Sequence, residues 1–233
     1  MKYITKYKSP NYNSRNNSKI QLIIIHYTAL KNNKDAILHL CDKEKKVSSH
    51  YLISQNGTIY ALVDDKFRAW HAGKSFWNNI TNINSISIGI ELDYNPFGKN
   101  NKFTYKMMSS LKKLLTKLQK NYKINKSSVL GHSDIAPFRK QDPGKNFPWK
   151  SLLSSKIVLK FKKLKVSEIK IIEEWFKNCN LKLQKHKIIL ALSLIGYDTR
   201  EVYNNSKLYS KLISAYRNRY LNNEDRLKNK LLY

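Results

Sequence analysis

Two short runs, "IQLIIIHYT" at 20–28 and "SISIGIEL" at 85–92, constrain this chain more than any other feature. Each is a short run rich in isoleucine and too short for an ordinary helix. That is the pattern of a central strand covered on both faces. Each carries near its end a residue such a strand rarely holds: His26 follows the apolar run of the first, and Glu91 stands next to last in the second. A polar side chain there either stands at the rim of a site or simply marks a strand end.

The segments between these runs alternate in type. "NNKDAILHLCDKEKK" (32–46) reads as a short helix. "SSHYLISQNGTIYALVDD" (48–65) carries two alternating runs around Asn56-Gly57, whose residues tolerate the positive φ of a tight turn, so it reads as a hairpin. "RAWHAGKSFWNN" (68–79) reads as an aromatic loop. "TYKMMSSLKKLLTKLQKNY" (104–122) places Met107, Met108, Leu111, Leu114, Leu115 and Leu118 on one helical stripe, with Thr104 as N-cap. Strands alternating with helices predict an α/β fold, a central mixed sheet flanked by helices, over residues 1–158. After it the strand pattern stops. "SEIKIIEEWFKNCN", "LQKHKIILALSLIGY" and "NSKLYSKLISAYRNRYL" predict a small three-helix module over 166–233, joined by the basic stretch "KIVLKFKKLK".

Composition narrows the class. The longest apolar run, "IILALSLIG" at 188–196, falls well short of the ~20 residues needed to span a bilayer. Residues 1–19 are basic and polar and lack the apolar stretch of a secretory signal, so the chain as written is expected to start in the cytosol, with export from a longer precursor as the alternative. Cys41 and Cys179 form no CxxC pair and are expected to be buried free thiols. The formal charge of +28 suits nucleic acid or another anionic polymer such as a cell wall. The lysines are scattered rather than gathered into one arm, and no nucleic-acid motif accompanies them. Compositional drift is therefore the favoured reading of the charge, and nucleic acid is not an expected partner.

The loop "GHSDIAPFRKQDPG" (131–144) carries more chemistry than a turn needs: His132, Asp142, and the cations Arg139 and Lys140 just before that aspartate. A catalytic zinc site takes three protein ligands and leaves a fourth position open, and His26, His132 and Asp142 could supply such a set. Sequence separation alone cannot bring His26 to the other two. Taken singly, each histidine reads equally as a core or surface residue, and an aspartate before proline as a turn cap.

"GHSDIAPFRKQDPGKNFPW" resembles the C-terminal signature of the zinc-dependent N-acetylmuramoyl-L-alanine amidases of the AmpD/AmiD type, the amidase-2 family related to the peptidoglycan recognition proteins. "IIIHYT", "VSSHYLISQNGTIY", "RAWHAGKSFW" and "SIGIEL" resemble that family's first ligand strand, central hairpin, substrate loop and glutamate strand, in the family's order over about 20–150. Beyond 160 the likeness fades to "LIGYD" and "LISAYRNRY", similar to the end of a small peptidoglycan-binding module. The resemblance implies Zn²⁺ held by His26, His132 and Asp142, Glu91 as general base, and Lys140 at the oxyanion. It sets His50, Arg68 and His71 near the substrate, with structural roles the alternative. Trp70, Phe76 and Trp77 are left open between stacking on substrate and core packing, and His39 and His186 are expected to be structural. The implied reaction is hydrolysis of the amide between N-acetylmuramic acid, or its 1,6-anhydro form, and L-alanine of the stem peptide, by a monomer. Phe138 departs from the family, standing where many relatives have glycine. Two rivals remain: a peptidoglycan-binding protein without catalysis, and a basic nucleic-acid-binding protein.

Overall fold

The computed structural model describes residues 2–159, 164–181 and 183–221. Their elements are, in chain order, β1 (Tyr12–Ser14), β2 (Leu22–Tyr27), α1 (Asn33–Cys41), β3 (Tyr51–Ile53), β4 (Ile59–Ala61), β5 (Phe67–Ala69), α2 (Ile83–Ile86), β6 (Ser87–Leu92), α3 (Tyr105–Tyr122), β7 (Val129–Gly131), α4 (His132–Ile135), α5 (Trp149–Ser154), α6 (Val166–Asn178), α7 (Gln184–Ile195) and α8 (Ser206–Tyr220). Five strands make one mixed sheet in the order β4-β3-β6-β2-β7. β3, β6, β2 and β7 run parallel, and β4 closes the edge as the antiparallel arm of the β3–β4 hairpin. The two expected buried strands are therefore the sheet's centre, paired with His26 directly opposite Glu91. Gly57 takes the positive φ of +85° that the hairpin turn requires.

The strand alternation divides the core. Ile23 and Ile25 of β2 and Ile88 and Ile90 of β6 point to one face and pack against Met107, Leu111 and Leu115 of α3. Thr104 caps that helix by accepting from the Met107 N–H, and the six predicted apolar positions are all buried. Leu22, Ile24 and Leu130 point to the other face, where Ile189 and Leu192 of α7 and Leu212 of α8 cover them. α6 instead buries none of its residues: Ile171 is 66% exposed and Trp175 43%. Residues 160–163 of the basic joining stretch lie outside the described residues.

Three expectations change. The segment 68–79 is not all loop, because Phe67–Ala69 pairs as β5 with β1 in a separate two-stranded ribbon. These strands are three residues long, too short to show a period-two pattern. The helix expected over 32–46 ends at Cys41, where Asp42 turns outward to cap the Glu44 N–H. The thiols are free, but Cys179 is exposed at the end of α6 and Cys41 is half-buried. No helix among the described residues is long and apolar enough to cross a membrane.

Candidate active site

β2 delivers His26 to the C-terminal end of the parallel strands, the position at which open α/β sheets carry their sites. β7 leads directly into α4, whose first residue is His132. Asp142 returns from the loop that follows, its carbonyl accepting from the Ser133 N–H at 2.8 Å and so closing the loop on itself. This return is why Gly131 is glycine: a Cβ there would lie 2.5 Å from Cδ of Pro143. His26 Nδ1, His132 Nδ1 and Asp142 Oδ2 thus form a triangle with edges of 2.9, 3.1 and 3.0 Å.

Donor counting fixes what these atoms present to one another. Ser87 Oγ donates its proton to the Ile83 carbonyl at 2.7 Å, so its 3.1 Å contact with His71 Nε2 is accepted from an Nε2–H. His71 Nδ1 is then an acceptor, and at 3.0 Å it takes the Nε2–H of His26. That leaves His26 Nδ1 with a bare lone pair. His132 reaches the same state because Arg139 Nη2, 3.3 Å from its Nε2, gives both protons to the Ala72 and Lys74 carbonyls, which leaves the Nε2–H of His132 to donate to the Ala72 carbonyl at 3.2 Å. Burial, and then His132, hold His26 down at about 4, so it is neutral near pH 7. Burial pushes the Asp142 carboxyl up, and positive charge at the two imidazole nitrogens, whether a proton or a cation in its place, pulls it below the usual carboxylate range.

Two lone pairs and a carboxylate oxygen therefore converge with no proton between them, an arrangement that fits a cation. The edges lie within a few tenths of an ångström of the roughly 3.3 Å expected between tetrahedral zinc ligands at about 2.0–2.1 Å. Among the described residues this is the set of histidine, cysteine and acidic groups that could hold a metal ion.

Glu91 faces this triangle from the neighbouring strand. Its Oε2 is sealed from solvent and has no hydrogen-bond partner among the described residues. Burial first, and then the Asp142 charge, push its carboxyl up to about 8, with Lys140 opposing them. Lys140 is exposed on the loop before Asp142, close enough to influence both Glu91 and His26. Arg139 is tied down instead, donating to the carbonyls of Ala72 and Lys74 at 2.6 and 2.8 Å.

The remaining expected residues separate. His71 belongs to the cluster as the support of His26, and its ring lies so close over β6 that a Cβ on Gly89 would sit 2.4 Å from it. His50 lies one shell further out: its Nδ1 accepts from the Gly89 N–H and its Nε2 donates to the Phe67 carbonyl. Burial and the Arg15 charge lower it to about 3. Arg68 does not join them; its guanidinium donates to Asn13 and Asn82 beside the β1–β5 ribbon. Trp77 packs in the core against Tyr197, and Phe76 lies under Arg200. Trp70 donates to Asn13.

Sequence reasoning missed Ser87, Gly89 and Arg15. The first two did leave a signal: in "SIGIEL" the small or polar residues Ser87, Gly89 and Glu91 alternate with Ile88, Ile90 and Leu92, which marks one face as something other than core. Arg15 left none. Its guanidinium is buried and donates to the Asn84, Ser85 and Ser87 carbonyls, pinning the start of β6 from 70 positions away.

The parallel-centred sheet thus gathers at its C-terminal edge two histidines and an aspartate that could hold a metal ion, with a glutamate beside them. The family model described as N-acetylmuramoyl-L-alanine amidase matches residues 16–145, and the chain belongs to that family. It is similar to the 1,6-anhydro-N-acetylmuramyl-L-alanine amidase AmpD of Haemophilus influenzae, 37% identical over 64% of this chain and 89% of that protein. To the Escherichia coli amidase AmiD it is 38% identical over 58% of this chain, which spans about half (52%) of that relative. The solved structure of E. coli AmiD, in complex with the substrate anhydro-N-acetylmuramic acid-L-Ala-D-γ-Glu-L-Lys, superposes with a TM-score of 0.71 at 27% identity, covering 92% of this chain and 84% of that one. AmpDh3 of Pseudomonas aeruginosa gives 0.69 at 26% identity, covering 91% and 86%.

Proposed function

We propose that this protein is a zinc-dependent amidase that cleaves the bond between the lactyl carbonyl of N-acetylmuramic acid, including its 1,6-anhydro form, and the L-alanine nitrogen of the stem peptide. The observation that carries this is the His26, His132 and Asp142 triangle facing a glutamate whose Oε2 is buried without a hydrogen-bond partner among the described residues. His26, His132 and Asp142 hold the ion. Zinc bound there supplies Lewis acidity, polarising the scissile carbonyl and making water more acidic.

The chain's own groups do the rest. Glu91 Oε2, which has no competing hydrogen bond, takes a proton from the attacking water and returns it to the departing nitrogen. Lys140 offers its ammonium to the charge that develops on the carbonyl oxygen. His71 and Ser87 keep the His26 lone pair aimed inward, and the Ala72 carbonyl does the same for His132. In this reading residues 1–158 form the catalytic unit, and the C-terminal region, with helices α6, α7 and α8 among its described residues, engages the same substrate.

The test is digestion of purified muropeptides, anhydro and intact, with and without chelator, with products identified by mass. Release of free stem peptide that stops on chelation and resumes with zinc supports the reading. Zinc-free protein that binds muropeptide without cleaving it overturns it in favour of a recognition protein.

A further inference from the structure

Beside the triangle opens a recess of about 420 Å³. One side of it is the catalytic loop, with Ser133, Lys140 and Lys145. The other side is α8, whose Lys211, Ser214 and Asn218 face in. Lys211 is fixed in place, its Nζ donating to the Phe138 carbonyl at 2.8 Å. Phe138, on the same loop, packs toward the helical layer.

The α8 wall is built in. Asp134, two residues beyond His132, is completely buried and accepts from the Tyr197 hydroxyl at 2.6 Å and the Gly131 N–H at 2.7 Å. Arg219 of α8 approaches the same carboxylate at 3.7 Å, donates to the Val129 carbonyl at 2.9 Å, and stacks 3.6 Å over Trp149. The helical layer and the loop carrying His132 are thus joined through one buried carboxylate.

The groups around the recess decide what enters. Four are cations, Arg139, Lys140, Lys145 and Lys211, and no aspartate or glutamate lines it. Of the two halves of the proposed substrate, the sugar half is uncharged once its lactyl carboxyl is in the amide. The peptide half carries free carboxylates, because a γ-linked glutamate leaves its α-carboxylate exposed.

Resting on the amidase reading, we propose that α8 forms one wall of the stem-peptide subsite and that Lys211 binds the free α-carboxylate of the γ-linked glutamate. The C-terminal helices would then set specificity at the reacting centre, in addition to any hold they have on distant wall.

The experiment uses two ligands, N-acetylmuramoyl-L-Ala-D-γ-Glu-L-Lys and its D-isoglutaminyl counterpart, in which a carboxamide replaces that one carboxylate. Wild type, Lys211→Met, Lys207→Met and Ser214→Trp are compared on the full chain. Lys207 is exposed on the same helix away from the recess and controls for overall charge. Hydrolysis is followed by mass, and binding of the released tripeptides by calorimetry. A charge-assisted contact predicts about a tenfold preference of wild type for the carboxylate ligand in KM and Kd, with kcat similar. Lys211→Met should erase the preference, Lys207→Met should keep it, and Ser214→Trp should weaken both ligands by filling the recess. No preference in wild type, equal loss in Lys207→Met, or undisturbed binding in Ser214→Trp overturns the proposal. If the binding preference holds while no peptide is released, the hydrolase reading fails and the subsite stands.

Discussion

The two faces of the central sheet are made from the same strands yet behave as different materials. Toward α3, Ile23, Ile25, Ile88 and Ile90 meet methionine and leucine, and every position is filled by hydrocarbon. Toward the helical layer, the same β2 and β6 present His26, Ser87, Gly89 and Glu91, interleaved with Leu22 and Ile24. The first face gains stability from apolar area removed from water. The second spends some of that stability: it buries three imidazoles held neutral and a carboxyl that would ionise readily in water. Function is kept on the face where local rules are broken, and the opposite face supplies the margin that permits it.

The sharpest way to break this contrast is Glu91→Gln. It should lower kcat by roughly 10²–10⁴-fold, the worth of a positioned acid–base group. It should also raise stability. Glu91 is lifted from its ordinary 4.5 to about 8, so between those values the unfolded chain ionises while the folded one keeps its proton, and stability falls as pH rises through that window. At pH 8 the chelator-treated variant should therefore melt above chelator-treated wild type. An equal or lower Tm would mean that the carboxyl is not strained by its burial.

Leu111→Ala is the counterpart on the dry face. It should cost about 2–5 kcal/mol by denaturant titration while leaving zinc affinity and kcat intact. A change in metal affinity there would show that the two faces are coupled.

The buried histidines predict a pH signature of similar size. His26 and His50 titrate near 4 and 3 in the fold, below the ordinary 6.5. Both are neutral in either state above pH 6.5, so their contribution is complete there and is lost as pH falls toward those values. The loss is at most about 1.4 kcal/mol per group per pH unit. Urea midpoints of the metal-free protein from pH 7 to 4 should fall steeply, and His50→Gln should flatten the slope. An unchanged slope would remove His50 from the account.

His71→Leu removes the acceptor that orients His26. Zinc affinity should drop about 10–100-fold, with urea stability of the metal-free protein altered much less. His71→Asn, which retains an acceptor, should recover part of the affinity; equal affinity in all three proteins would make His71 a packing residue. The smallest effect is Thr104→Ala, about 1 kcal/mol from the lost cap of α3, visible in melting and silent in metal binding.

Much of this molecule was legible before its structure. The α3 stripe, its Thr104 cap, the Asn56-Gly57 hairpin and the two central strands follow from local periodicity and turn chemistry, whose partners lie within a few residues. The candidate ligands were legible as residue types in a suggestive loop and at a strand end, and it was the resemblance that joined them. The β1–β5 ribbon was not legible, since three residues carry no period.

The sequence by itself determined which residues could bear the chemistry, because imidazole, carboxylate and ammonium groups are fixed by the chain and local patterns set their elements. Only the tertiary structure decided what those groups are: that His26 offers a lone pair, that Glu91 is sealed, that Arg68 is turned away, and that α8 stands at the edge of the recess. The physical reason is separation. Protonation and orientation are set by neighbours such as Ser87, Ala72 and His71, which the fold brings in from distant positions, and no local pattern encodes a contact that only the closed sheet can make.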